Sequence, residues 1–563
     1  MKQSTLKSMS DFYLEIDAIH GNVLYYDRPT INSSDGNTLA IYNGVIYNSD
    51  EFGEVLNKSP YEIANQLEGL YSLVIIRDSK VFLITDRTNS HKVFYTKSSD
   101  KLIVSSDIER LIPRNYRLDV GGVMNFAINN CLINEKTIFE GIYYIPSATV
   151  SSVEDNRFTF QNYYHFAFYD KARDSSDIGE QLSASLTYGI DNILEALDNP
   201  VLAMSAGWDA RAIMFYLSKL YKGELHSFSY KDSLYDKFTD TDADLSEQIA
   251  SSKGIPHDIV NLYNGNFVEL LRKNAEIGKC VSAFCYELDA FDNLSKKGFT
   301  DIIFGDHIFG YGKKDITIRS KEDVLQQIAV YKSSSARFLR RLFKNKKQYE
   351  YDMKCLDTEV DRMYDLSGEI DSFTDKKDFL YFQQRVLNLI TPLRQMIGGM
   401  IGTVHDPFLN SKAIDVCQYI STNGRIDKTL YKSVLMKQFP NLFDVPYAKH
   451  SGRGVDWMNE ILKSREEILD RINYYPDQLA AVIPKDVVVK LISSIPDTIL
   501  KHKLHIVKNY YVAGMGFLRR RYNIVEVIAN KLVGPHRGIV DPTVVLVNIL
   551  YIREYLEKID LGL

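Results

Sequence analysis

Pro200-Val-Leu-Ala-Met204 runs straight into Ser205-Ala206-Gly207-Trp208-Asp209-Ala210-Arg211, and this junction decides the fold. The first five residues are a short apolar run bounded by a turn, the pattern of a buried strand. From Arg211 to Leu220 the apolar residues return at helical spacing, and Glu224–Tyr230 reads as the next strand. Strand, helix, strand in that order calls for a parallel sheet with helices on both faces.

Outward from there the alternation continues. Gln181–Leu197 reads as a helix leading into the first strand, with Leu182, Leu186, Ile190, Ile193, Leu194 and Leu197 on one face. Leu245–Lys253 reads as a helix, His257–Leu262 as a strand, Phe267–Ile277 and Tyr286–Lys296 as helices, and Asp301–Phe304 as a strand. After about Lys313 the strand signals stop, and residues 320–440 and 457–563 read as almost wholly helical.

The first 165 or so residues have a different texture. Alternating or β-branched runs recur at Thr38–Tyr47, Tyr71–Arg77, Lys80–Thr85, Lys101–Ser105 and Ile142–Val153, separated by Asn, Asp, Gly and Ser clusters. The polar stretch Asp170–Asp177 reads as a linker. The expectation is an α/β plus α+β chain. Residues 1–170 form an antiparallel-sheet domain, and 178–563 form a parallel α/β domain with a largely helical C-terminal region. Residues 315–372 stand out as a helical insert.

With 563 residues the chain is long enough for two to four domains. Hydrophobic residues at 45% and charged residues at 25% exclude collagen-like and disordered classes. The balance of 67 basic against 73 acidic residues, net −6, argues against general nucleic-acid binding. The basic run Arg337–Lys347 reads as a solvated helix face. Cys131, Cys280, Cys285, Cys355 and Cys417 are odd in number and irregularly spaced, which points to a reducing compartment rather than a disulfide framework. Cys280 and Cys285 have no second pair to complete a zinc site. The opening MKQSTLKSMSDFYLEID lacks the apolar core of a signal peptide. The longest apolar stretch, Val386–Val404, is interrupted by Arg394 and glycines, so no membrane span is expected and the cytoplasm is the expected location.

The turn at 204–211 sits where a strand end meets a helix start, so backbone N–H groups and the helix dipole favour an anion there. Small residues at 205–207 allow close backbone approach, Ser205 adds a hydroxyl, and Asp209 suits a cation that bridges phosphates. The alternative reading is a plain helix N-cap by Ser205 with a surface Asp209. A second loop, Phe304-Gly305-Asp306-His307-Ile308-Phe309-Gly310-Tyr311-Gly312, follows another strand on the edge of the sheet where ligands gather. Asp306 is expected to stand near Asp209, two carboxylates suited to Mg²⁺. A third feature is Lys449 in Val445-Pro-Tyr-Ala-Lys449-His-Ser-Gly-Arg-Gly454.

Together these motifs resemble the asparagine synthetase superfamily, which includes β-lactam synthetases and lasso-peptide cyclases. Ser205, Gly207 and Asp209 match its Ser-Gly-Gly-x-Asp-Ser pyrophosphate loop, while Ala206 and Ala210 depart. Leu225–Tyr230 looks like the family's adenosine-side strand, Gly305–Tyr311 like its second magnesium loop, and Asp406–Asn410 like its Pro-Phe-Leu-Asp segment. Lys449 matches the lysine that stabilises departing pyrophosphate. In the N-terminal half, Tyr42–Asn48, Gly69–Leu73, Thr85-Asp86-Arg87 and Lys92–Tyr95 look like the family's glutaminase domain.

The resemblance implies an ATP- and Mg²⁺-dependent ligase that adenylates a carboxylate and passes the acyl group to an amine. Met204, Ser205, Gly207, Asp209, Arg211 and Tyr230 are then expected at the nucleotide, Asp209 and Asp306 at the metal, and Lys449 at the leaving pyrophosphate. The family's glutaminase uses Cys after the initiator Met. Here Lys2 stands there, and Val45 replaces the glutamine-gripping Glu, so glutamine hydrolysis is expected to be lost. Ile303 replaces the acid or Tyr that deprotonates the amine in relatives. His307 is the candidate base, or else a histidine satisfied within the fold. His502 and His505 read as surface. The expected partners are a carboxylate, small molecule or peptide, and an amine, with a homodimer or precursor-peptide or protein partner possible. The competing readings are ammonia-dependent asparagine synthesis and an inactive scaffold.

Overall fold

The computed structural model describes residues 6–8, 11–17, 21, 23–26, 31–32, 38–48, 52–78, 80–133, 135–154, 157–168, 175–233, 237–310, 318–328, 337–367, 370, 372–493, 495 and 542–562. Lys2, His502, His505, most of the linker and part of the expected insert lie outside these residues.

The N-terminal region, up to Asn162, holds two antiparallel sheets. One runs Leu6–Ser8, Thr38–Ile46, Gly69–Arg77, Lys80–Thr85, Thr149–Glu154, Arg157–Asn162, with Ile31–Asn32 beside Thr38–Ile46. The other runs Ile142–Tyr144, Phe94–Lys97, Lys101–Ser105, Tyr13–Asp17, Val23–Tyr26. Period-two alternation sorts the side chains. Ile41, Val74 and Leu83 of the first sheet meet Leu14, Leu102 and Val104 of the second in one buried layer. Leu73 and Ile75 point the other way, onto Leu56 and Ile63 of the helical segment that covers the outer face. The run read as one strand, Ile142–Val153, is two: Ile142–Tyr144 belongs to one sheet and Thr149–Glu154 to the other. Pro146, which has no N–H for a ladder, stands at the crossing.

The second half holds a five-stranded parallel sheet in the order His257–Asn261, His226–Lys231, Pro200–Ala203, Asp301–Ile303, Thr403–His405. The mixed α/β class expected from the sequence is what is found. One element departs from it: Thr403–His405 is a strand inside a region read as helical. It has only three residues, all buried, so it carries no alternation to betray it. Among the described residues no helix is long and apolar enough to cross a membrane, and the five cysteines are free thiols.

The strand order makes Pro200–Ala203 and Asp301–Ile303 neighbours whose following connections leave in opposite directions. In open α/β sheets this switch point is where a crevice forms at the carboxyl ends of the strands.

Candidate functional site

Both loops singled out in the sequence leave the sheet at that crevice. Met204 N–H donates to Phe228 O at 2.7 Å, which ties the first loop to the neighbouring strand. The helix Trp208–Leu220 then starts with Gly207 at its N-cap and no side chain capping it. Ser205 is therefore not the cap. Its hydroxyl accepts from Gly207 N–H at 3.4 Å.

Gly305 lets the second loop touch the first. A Cβ there would stand 3.3 Å from Asp209 C and Ala210 N, and 3.1 Å from Ile213 Cδ1. The two aspartates consequently face one cavity of about 660 Å³. His307, Lys428 and Lys432 share its polar side, while Trp208, Tyr381, Val386, Ile390 and Tyr447 form an apolar wall.

Each aspartate has a cation. Lys428 Nζ lies 2.8 Å from Asp209 Oδ2, and His307 Nε2 lies 3.4 Å from the same oxygen. Burial alone would raise the Asp209 carboxyl, but His307 and Lys428 outweigh it and hold the group well below the usual carboxylate range. Asp209 Oδ1 is buried with no hydrogen-bond partner. Asp306 accepts from Arg394 Nε at 2.7 Å, and its N–H donates to Asp406 Oδ2 at 3.2 Å. Burial, then the charge of Asp306, pushes the Asp406 carboxyl well up, towards the neutral acid.

His307 is placed to hold Asp209 rather than to take a proton. Its Nδ1 accepts the Phe309 N–H at 3.1 Å, which assigns the hydrogen to Nε2, facing Asp209. Burial lowers its pKa, against the pull of Asp209.

Other expected residues lie elsewhere. Arg211 is fully buried. Its guanidinium donates to the carbonyls of Leu442, Val445, Pro446 and Ala206, so it anchors the start of the Lys449 loop instead of cradling phosphate. Lys449 is 80% exposed, and its Nζ is 3.4 Å from Asp240 Oδ2. The Ala206 N–H donates to Asp242 Oδ1 at 2.8 Å, so a carboxylate of the chain already sits at the anion position, itself paired with Arg453. Tyr230 donates to Glu287, and the Arg453 guanidinium lies 4.5 Å from its ring centroid.

Lys428, Arg394 and Asp406 were not singled out as functional by sequence reasoning. Arg394 did leave a signal: a lone arginine in an apolar run needs a buried partner. Lys428 left none, because it and Asp427 both adopt φ of 55° at non-glycine positions.

Residues 55–164 match the glutamine amidotransferase domain. The match takes in four strands of the first antiparallel sheet, Gly69–Arg77, Lys80–Thr85, Thr149–Glu154 and Arg157–Asn162. None of the curated proteins matches the chain. Among solved structures, glutamine phosphoribosylpyrophosphate amidotransferase from B. subtilis, complexed with ADP and GMP, is 8% identical. That alignment covers 46% of this chain and 85% of that one, with a TM-score of 0.20. The allosteric regulatory enzyme of purine biosynthesis is 10% identical over 65% of this chain and 79% of that one, with a TM-score of 0.18.

Proposed function

We propose that the chain is an ATP- and Mg²⁺-dependent ligase of the asparagine synthetase type, forming an amide from a carboxylate and an amine without hydrolysing glutamine. The observation that carries this reading is the shared cavity at the sheet's switch point, where Asp209 and Asp306 enter from consecutive parallel-strand ends. Hard oxygen donors suit Mg²⁺, and two carboxylates at one cavity are such donors. Asp209 and Asp306 are the residues that would hold the ion, which supplies charge neutralisation to a triphosphate.

The chain's own groups do the rest. Lys428 adds positive charge beside the phosphates and keeps Asp209 ionised. Arg394 holds Asp306 in place, and His307 fixes the orientation of Asp209. Charge complementarity preset in a partly closed cleft stabilises a transition state without reorganisation. Lys449 joins only if its loop closes over the cleft, for which its exposed side chain has the freedom.

One observation favours an inactive scaffold instead: both carboxylates are already charge-paired, and Asp242 fills the anion position. ATP–pyrophosphate exchange by the full chain, across a panel of carboxylic acids, separates the two. Exchange that depends on one acid supports the ligase. Absence of both exchange and ATP binding supports the scaffold, and exchange driven by aspartate assigns asparagine synthesis.

A further inference from the structure

The side-chain cations of the cleft are already committed. Lys428 Nζ is held by Asp209 and Lys432 Nζ by Asp427, each at 2.8 Å, and Arg394 is held by Asp306. Among the described residues no arginine lines the cavity, and each lysine that lines it has a carboxylate partner. A second carboxylate on a substrate would share the space with Asp209, Asp306 and Asp427 and find no side-chain cation to receive it. Burying a charge without a partner is costly.

The rest of the wall is apolar, and two separate devices build it. Trp208 is the first residue of its helix and immediately precedes Asp209, so indole and carboxylate leave the same turn. Phe443 and Tyr447 back the indole, with ring centroids 4.2 and 6.4 Å away. The second device is the segment Tyr381–Ile390, which is wound as a π-helix, with Thr391 N–H closing on Val386 O five residues back. On an α-helix, at about 100° per residue, Ile390 would point opposite to Tyr381. The wider winding instead turns Tyr381, Val386 and Ile390 onto the cleft together. Gln383, Gln384 and Asn388 of the same segment turn to a separate, smaller cavity. Such windings are rare and recur at functional sites. Here the winding sends the apolar side chains to the cleft and the amides away from it.

We infer that the acid handled at this site is a monocarboxylate carrying an aromatic or branched aliphatic group, an inference that rests on the ligase reading for the fate of the carboxyl group. The carboxyl group lies at the charged end, beside Lys428, and the substituent lies against Trp208, Tyr381, Val386 and Ile390. Contact with this wall strengthens binding about fourfold for each CH₂ buried. A dicarboxylate such as aspartate or succinate gains nothing from the wall and brings a charge that the cleft leaves unpaired.

The test is ATP–pyrophosphate exchange by the full chain with acetate, isovalerate, phenylacetate, succinate and aspartate. It is run beside calorimetry of the same acids in the presence of Mg²⁺ and a non-hydrolysable ATP analogue. The expected result is a kcat/KM at least tenfold higher for isovalerate or phenylacetate than for acetate, succinate or aspartate. The better of the two apolar acids binds saturably, and Ile390→Asp weakens it at least tenfold while changing the affinity for the ATP analogue less than threefold. Exchange driven by aspartate or succinate but by neither apolar acid overturns the inference and leaves the ligase reading standing. Saturable binding of an apolar acid, lost in Ile390→Asp, without exchange by any acid supports the assigned occupant and removes the ligase reading. No saturable binding of either apolar acid overturns the inference. So does an Ile390→Asp variant that loses the ATP analogue as severely as the acid, which assigns the wall to the nucleotide. If Ile390→Asp does not fold, Tyr447→Asp, at a position 53% exposed, decides on the same criterion.

Discussion

His405 joins the two halves of the chain. Its Nδ1 meets the Tyr47 hydroxyl at 3.0 Å and its Nε2 meets Asp301 Oδ1 at 2.9 Å, with no part of the ring exposed. Lys7, on the edge strand of the N-terminal sheet, reaches the same aspartate oxygen. Burial works to raise the Asp301 carboxyl, but His405 and Lys7 together hold it ionised, well below its ordinary value. His405→Phe keeps the ring volume and removes both hydrogen bonds, leaving Lys7 as the only side-chain cation on a buried carboxylate whose other oxygen is held by Asp198 N–H and the Thr300 hydroxyl. The expected loss is about 2–4 kcal/mol of unfolding free energy by urea titration. Tyr47→Phe is expected to cost about 1 kcal/mol, and the double variant less than the sum. Strict additivity would show that the two groups do not interact.

Lys428 is the cation closest to Asp209 and has no counterpart in the motifs read from sequence. Lys428→Met removes a charge from the cleft while preserving the length of the stem. Under the proposed ligase reading, kcat/KM in the exchange assay falls about a hundredfold, the usual scale for losing one preorganised electrostatic partner. The protein should stay folded, since Lys428 is partly exposed. An unchanged exchange rate removes Lys428 from the machinery.

Asp242 occupies the backbone N–H that a phosphate oxygen would take. Asp242→Asn keeps an acceptor for Ala206 N–H but removes the negative charge and loosens Arg453. Even screened as in bulk water, such a charge is worth about 1 kcal/mol at ~4 Å. KM for ATP should therefore fall about fivefold, and inhibition by added pyrophosphate should tighten. A rise in KM would mean that Asp242 serves the ligand rather than mimicking it.

The local sequence rules locate four of the five strands of the parallel sheet, because short strand runs there alternate with helical repeats. They located Asp209 and Asp306 because strand ends in a parallel sheet converge, which is topology rather than chemistry. They missed the partners for a different reason. Lys428 and Arg394 approach the aspartates from more than eighty residues away, and no spacing rule spans that distance. Arg211 was misplaced because an arginine beside an anion loop is also the ideal side chain to collect four buried carbonyls, and only the coordinates of Leu442 to Pro446 distinguish the two. Thr403–His405 escaped because its partner strand, Asp301–Ile303, lies a hundred residues upstream.

His257 offers a pH test that needs no knowledge of the substrate. Its ring lies between two hydroxyls, Nδ1 2.9 Å from Ser227 Oγ and Nε2 2.8 Å from Ser229 Oγ. Burial lowers it to about 4, against about 6.5 for the unfolded chain. Between those values the unfolded state binds a proton that the folded state refuses. The stability tied to this residue is thus complete above pH 6.5 and is lost as pH falls towards 4, at up to about 1.4 kcal/mol per pH unit. His257→Gln retains hydrogen-bonding capacity and cannot titrate. The stability difference between wild type and variant, measured by urea titration at each pH, should shrink by up to ~3 kcal/mol from pH 6.5 to 4. Taking the difference cancels the opposite contributions of Glu68, Asp86 and Asp406, whose raised carboxyls favour the folded state at low pH. A difference that stays flat across this range would mean that the ring takes up its proton without unfolding, and that the two serines do not require it to be neutral.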